Sequence, residues 1–164
     1  VALDFPSSSL TIGQIFSSGA ISWAWDGTKW TPASSTNNPR YIVGCFVPGL
    51  LTASQVLLEF RFSKAVTFPA NFSTYLGHTS EARGSAAATA STVIAVQKAT
   101  AAAPTIFTGV GTITIAAGAL TGTLATTGGT AVNYAQGDTL ALIAPATPDA
   151  TFRDVAATLV GYES

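Results

Sequence analysis

Apolar and polar residues alternate with a period of two along most of this chain, and no helical period is sustained. The clearest case is QVLLEFRF at 55–62, where Val56, Leu58, Phe60 and Phe62 share one face and Leu57, Glu59 and Arg61 the other. On that second face Glu59 and Arg61 are expected to pair with each other or with neighbours. YIVGCFV (41–47) is instead a continuous apolar run, the pattern of a strand buried on both sides. Further strands are predicted at AVTF (65–68), STVIAVQKA (91–99), TIF (105–107), GTITIAAG (111–118), TGTLATT (121–127), TAVNYA (130–135), DTLALIAP (138–145) and within PDATFRDVAATLVGY (148–162). Gly118, Gly128-Gly129, Gly137-Asp138 and the Pro145–Pro148 stretch separate them with turn chemistry. Residues 69–90 hold no such pattern and read as a long surface loop with a short strand at 74–77. The alanine runs at 86–88 and 101–103 are flanked by Gly, Ser, Thr and Pro, so they read as loop rather than helix. The prediction is an all-β protein: a jelly-roll-like antiparallel β-sandwich after residue 40, preceded by a smaller β unit.

That smaller unit holds every tryptophan of the chain, Trp23, Trp25 and Trp30, in ISWAWDGTKWTP (21–32). Asp26-Gly27 is a two-residue hairpin signal, because a type I′ turn needs positive φ at both central positions. A turn there sets Ala24 opposite Lys29 and Trp23 opposite Trp30. Ser18-Gly19 turns the preceding strand and sets Phe16 opposite Ile21. The outcome is a three-stranded meander (1–32) with Ile21, Trp23, Trp25, Thr28 and Trp30 on one face. Phe16, Ile21, Trp23, Trp25 and Trp30 are the candidate packing and anchoring residues, since so small a unit must dock its aromatic face on something. ASSTNNPR (33–40) is a polar linker, and 41–164 forms the larger domain.

Composition narrows the chemistry. Only 9% of the 164 residues are charged and the formal net charge is −1, which argues against nucleic acid as a partner. Low charge beside much Ala, Thr, Ser and Gly fits a β protein that buries surface in an assembly. The single cysteine, Cys45, cannot form an internal disulfide and reads as a buried small apolar residue. No signal peptide and no apolar run of about 20 residues appear, so neither export nor membrane insertion is expected. The opening Val-Ala-Leu-Asp fits a trimmed initiator methionine. The sole histidine, His78 in LGHTSEARG, has no motif that joins it to Asp138, Asp149, Asp154 or a serine, and GxSxG is absent. Asp138 reads as a turn cap and Asp149 as an Asx turn after Pro148. Carboxylates show neither metal-ligand spacing nor a calcium loop, and GVGT and TTGGT are turns without a P-loop lysine. Asn71-Phe72-Ser73 matches a glycosylation sequon but lacks a secretory context. No enzyme activity, metal or cofactor is expected.

LDFPSSSLTIGQIFSSGAISWAWDGTKWTP resembles an N-terminal module of tailed-bacteriophage virion proteins, on Phe5-Pro6, Gly13-Gln14, Phe16, Trp23, Trp25, Asp26-Gly27 and Trp30. Ser9-Leu10 stands where the module often has Ser-Pro. YAQGDTLALIAP is similar to the C-terminal part of phage fibre-tip and head-fibre proteins and to trimeric jelly rolls of the tumour-necrosis-factor type, through Tyr134, Gly137, Asp138 and Leu140. The resemblance implies a non-enzymatic, homotrimeric component of the virion, made in the host cytoplasm and touching other virion proteins, with no catalytic residues. A tail-fibre or spike-type attachment component is the leading expectation, its partner a host cell-surface glycan or protein. Its candidate ligand loop holds Asn71, Tyr75, His78, Glu81 and Arg83, because binding residues concentrate on loops. A capsid decoration or head-fibre protein is the alternative. A free carbohydrate-binding module is a third, and it would lose glycan affinity on Trp25→Ala.

Overall fold

The structure, a computed structural model, describes residues 5–12, 14–18, 21–32 and 39–164, with the side chains of Ile21, Ser22, Thr31 and Pro32 excepted. The chain divides into two compact units, Val1–Asn38 and Pro39–Ser164.

In the first unit, β1 (Ile15–Ser18), β2 (Ile21–Trp25) and β3 (Trp30–Pro32) form a three-stranded antiparallel sheet in sequence order. The register differs from the expected one. Trp25 pairs with Trp30 and Ala24 with Thr31. Phe16 pairs with Trp23, and it is Ser18 that faces Ile21. The cause is Asp26. Its Oδ1 accepts hydrogen bonds from the Thr28 N–H, the Thr28 hydroxyl and the Lys29 N–H, while the Asp26 N–H donates to the Lys29 carbonyl. These bonds draw Thr28 and Lys29 into a four-residue turn, so Thr28 leaves the strand face. Of the two turn-signal residues only Gly27 takes positive φ, at 101°, which excludes the type I′ turn. Gly19 and Ala20 lie outside the described residues.

The second unit is a sandwich of two antiparallel sheets. Its strands are β4 (Arg40–Leu50), β5 (Val56–Arg61), β6 (Val66–Phe68), β7 (Glu81–Arg83), β8 (Thr92–Thr100), β9 (Ala103–Ile115), β10 (Gly122–Thr126), β11 (Val132–Tyr134), β12 (Thr139–Ile143) and β13 (Arg153–Glu163). One sheet runs β11-β6-β13-β4 with β7 also on β13; the other runs β10-β9-β8-β12-β5. The pairs are nested: β4 with β13, β5 with β12, β6 with β11, β8 with β9. First-with-last pairing, repeated inward, rolls one long hairpin into two facing sheets, which is the jelly-roll connection. β7 and β10 are additions to that eight-strand scheme.

Inward residues of both sheets close one core. Val43, Phe68 and Leu159 face Ile94, Val96, Ile113, Leu140 and Leu142, all at most 3% exposed. A chain of touching aromatic side chains runs through it: Phe62 packs on Tyr134 at 4.7 Å and on Phe68 at 6.0 Å, and Phe68 on Phe72 at 5.9 Å. Each such side chain contributes roughly 1.5–3 kcal/mol by leaving water.

Four expectations need correction. The 41–47 run is not buried on both sides: β4 is a sheet edge, and its outward Ile42 and Phe46 are 50% and 65% exposed. Cys45 is half-buried rather than enclosed, and burial pushes its thiol pKa up. TIF and GTITIAAG are one strand, β9, carried past Gly109 by an irregularity in its pairing with β8. Residues 69–90 are more ordered than a loop. They hold a 3-10 turn at Ala70–Phe72, a bridge between Tyr75 and His78, and β7. The alanine runs hold no helix, as expected, and Ala103 opens β9.

Candidate functional site

In the first unit the aromatic face closes on the chain's own lead-in. Alternation along β2 places Trp23 and Trp25 on one face, and the pairings add Phe16 and Trp30 to it. Phe5 lies in their midst, 5.1 Å from Phe16, 5.1 Å edge-on to Trp23 and 5.7 Å stacked on Trp30. Trp25 meets Trp30 at 5.7 Å. The Trp30 indole N–H donates to the Pro6 carbonyl at 3.2 Å, so Phe5-Pro6 is pinned at both residues. The unit thus has a small interior of its own, which the sequence reading denied it because Phe5 lies outside the strands. The Ile21 side chain lies outside the described residues. On the opposite face Ile15 is 58% exposed, and Ile12 before β1 is 80% exposed. Replacing Phe5 with alanine removes the lid. Loss of a fully buried phenylalanine costs 3–5 kcal/mol, so this half-buried one is expected to cost about 2 kcal/mol. Since all three tryptophans lie here, their emission reads out this unit alone. A red shift and an earlier denaturant midpoint are expected, and an unchanged curve would refute the lid.

The candidate ligand loop is dispersed. The Asn71 carboxamide oxygen accepts the Thr126 N–H at 3.2 Å, and the Asn71 N–H donates to the Thr126 hydroxyl, so Asn71 clips two elements together. Tyr75 stacks on Tyr162 at 4.6 Å. Leu76 and Gly77 take φ of 49° and 77° between the bridged Tyr75 and His78, a tight turn with His78 exposed. Glu81 and Arg83 stand together on β7, exposed, opposite Thr158 and Ala156 of β13.

What sequence reasoning missed are the carboxylates that tie loops together. Asp149 accepts six hydrogen bonds: from the N–H and hydroxyl of Thr89 and the N–H of Ala90 on one oxygen, and from the N–H and hydroxyl of Thr151 and the N–H of Phe152 on the other. The Thr151 hydroxyl first, then the Ala90 N–H and the Thr89 hydroxyl, hold its pKa far below the usual carboxylate range. Asp154, at φ 52° in the β4–β13 bulge, accepts from the Ser85 hydroxyl and the Gly49 N–H, and these lower its pKa. An Asx turn was legible at Asp149; its reach across 60 residues to Thr89 was not. Asp149→Asn is expected to loosen 88–92 and 148–152, raising amide exchange there while β12 stays protected. Equal protection in both proteins would count against the clip. Both carboxylates have folded pKa values below the unfolded one. Their stabilisation is complete above about pH 4 and is lost as pH falls further.

Asp138 is buried at 3% exposure. It pairs with Lys98 at 2.9 Å and accepts the N–H groups of Ala101 and Ala135 at 2.9 and 2.8 Å. The Lys98 ammonium also donates to the Asn133 carbonyl at 2.6 Å and lies 5.3 Å from the Tyr134 ring centre. Burial pushes the Asp138 pKa up, but Lys98, Ala135 and Ala101 together outweigh it and the net shift is downward. The Tyr134 phenol, which donates to the Gln97 carbonyl, is pushed up by burial and by the Asp138 charge. The network ties β8, β11 and the turn before β12 together at one end of the sandwich.

Two hollows lie on the surface of the larger unit. One of about 500 Å³ is lined by Arg61, Ser63, Ala101, Gln136 and Gly137, and there Arg61 Nε donates to the Gly137 carbonyl rather than meeting Glu59. The other, of about 350 Å³, has Lys98, already engaged, and Thr127, Thr130 and Asn133 in its wall. Neither joins a nucleophile to a base. Among the described residues no three of His, Cys, Asp and Glu stand together as metal donors. By fold the protein is an antiparallel β-sandwich of jelly-roll connection with a separate aromatic meander. Neither protein-family models, nor curated proteins, nor solved structures contain a match to it.

Proposed function

We propose that this chain is a non-enzymatic structural protein of a bacteriophage virion, a homotrimer displayed on the particle as a tail-fibre or spike-type attachment component. The observation that carries the reading is the division of labour between the two units. A meander of some thirty residues closes its own aromatic interior, and a jelly roll separate from it supplies the bulk. The small unit is suited to anchoring on another virion protein, and the large one to display. The motif residues Phe5-Pro6, Phe16, Trp23, Trp25 and Trp30 converge in that interior, so their spacing has a physical purpose. The network around Asp138 is fixed and fully partnered, as suits a building piece rather than a site of turnover.

A capsid decoration or head-fibre role is the second reading. It is favoured by Asn71 and Tyr75, which are engaged with Thr126 and Tyr162 of this chain rather than standing free for a receptor. Immunogold imaging of intact phage particles that carry the chain tests both. Label at the tail tip is expected for attachment, and label over the head supports decoration. Purified particles free of the chain would overturn the virion reading altogether.

A further inference from the structure

We infer that the hollow beside Arg61 is a binding site for the carboxylate of an acidic sugar. Three turns meet there, between β5 and β6, β8 and β9, and β11 and β12. Arg61, Phe62 and Ser63 come from the first, Ala101 from the second, Gln136 and Gly137 from the third. The turns are fastened to one another within the chain. The Phe62 N–H donates to the Asp138 carbonyl at 2.9 Å and the Gly137 N–H to the Phe62 carbonyl at 2.7 Å. The Asp138 carboxylate takes the Ala101 N–H at 2.9 Å. A wall tied in this way is already in place, so binding costs little ordering. Its volume of about 500 Å³ lies within the roughly 300–1,000 Å³ of small-molecule sites and is large for a lone ion.

The charges in and around the wall select an anion of single charge. Arg61 Nε is spent on the Gly137 carbonyl at 3.2 Å, which fixes the guanidinium against that turn. Both Nη groups are left without a hydrogen-bond partner among the described residues. The ion pairs found there join Lys64 to Glu163 and Lys98 to Asp138, and Arg61 belongs to neither. Glu59, two residues back on the same face of β5, is exposed and does not reach it. Two adjacent Nη groups match the paired oxygens of a carboxylate. With Lys64 and Lys98 committed, one cation remains to face the hollow. That balances a carboxylate and falls short of a phosphate monoester, at about −1.5 to −2.

The rest of the wall suits a sugar. The Ser63 hydroxyl and the Gln136 carboxamide both give and take hydrogen bonds, as sugar hydroxyls do. Both are exposed and make no hydrogen bond to the described residues. Gly137, at φ 87°, keeps the floor low, since a Cβ there would stand 3.0 Å from the Ala101 methyl and 3.6 Å from Arg61 Nη2. The Phe62 ring is turned into the core, 1% exposed and packed on Tyr134, so the wall offers a peptide side chain no apolar pocket.

The inference rests on the attachment reading and names the group on a host glycan that this chain would hold. The test is amide-shift titration of the full chain with glucuronate, glucose, acetate, inorganic phosphate and a short aspartate-containing peptide. Glucuronate is expected to move the amides of Ser63, Ala101, Gln136 and Gly137, and to bind about tenfold more tightly than glucose, the margin of one charge-assisted contact. Arg61→Gln should erase that margin, and Arg61→Lys, which keeps the charge without the fork, should lose most of it. Arg83→Gln, an exposed arginine of β7 in the other sheet, should bind as the wild type does. Silence of those four amides, or an undiminished response in Arg61→Gln, overturns the site. Acetate, phosphate or the peptide binding as tightly as glucuronate overturns the acidic-sugar assignment. Label at the tail tip without a glucuronate response removes this inference and leaves the attachment reading. A response from a chain located over the head keeps the site and removes its use in attachment.

Discussion

Asp138→Ala is expected to lower the stability of the larger unit by about 3 kcal/mol, because the change strands a charge in a mostly buried site. Lys98, with its side chain 22% exposed, loses the carboxylate it pairs with, and the N–H groups of Ala101 and Ala135 lose their acceptor. For a unit of this size that is a fall in Tm of roughly 10 °C. Calorimetry is the readout, since tryptophan emission reports only the other unit. Combining the change with Lys98→Met should recover part of the loss, because the unpaired charge then goes too. The acid limb supplies a second check. The folded pKa of Asp138 is lowered, so its contribution is present above about pH 4 and disappears as pH falls further. Wild-type stability should therefore drop below about pH 4, and the variant's should drop less steeply. A Tm within a degree or two of wild type would show that the network is ornament.

Gly161→Ala should be about as damaging, at roughly 3 kcal/mol, for a steric reason. Gly161 lies in β13 opposite Tyr41, and a Cβ there would come within 2.7 Å of the Thr67 carbonyl oxygen and 3.0 Å of the Phe68 ring. The carbonyl is backbone and cannot swing aside. Phe68 is fully buried between Phe62, Phe72 and Tyr134, so its ring has nowhere to rotate. Gly109→Ala is the matched control, because a Cβ there meets nothing within 4 Å. A stability gain of a few tenths of a kcal/mol is expected from the smaller entropy of its unfolded chain. Equal effects at the two positions would mean that β13 and β6 approach less closely than the structure has them.

The strands were legible because burial on one face writes a period of two into the sequence. Nearly every predicted strand from Tyr41 onward has a counterpart, and the turn glycines Gly118, Gly128, Gly129 and Gly137 all take positive φ. The failures have local causes. At Asp26 a side chain out-competed the backbone turn and slid the hairpin register. At 105–118 a weak alternation broken by Gly109 and Gly111 concealed one long strand. In the candidate site, Trp23, Trp25 and Trp30 were visible as a cluster, but Phe5 was not, because no period links a lead-in to the strands it covers.

The sequence alone determined the all-β class, the aromatic character of the N-terminal piece and most of the strands, because each depends on residues close together in the chain. Which strand became an edge, and so whether YIVGCFV lies inside or half outside, was decided only when β13 returned to pair with β4. The same holds for Asp138 and Asp149. Their partners Ala101 and Thr89 are 37 and 60 residues away, and only the nested roll of hairpins brings them within reach. Local pattern records how much surface a residue must bury; it does not record what will cover it.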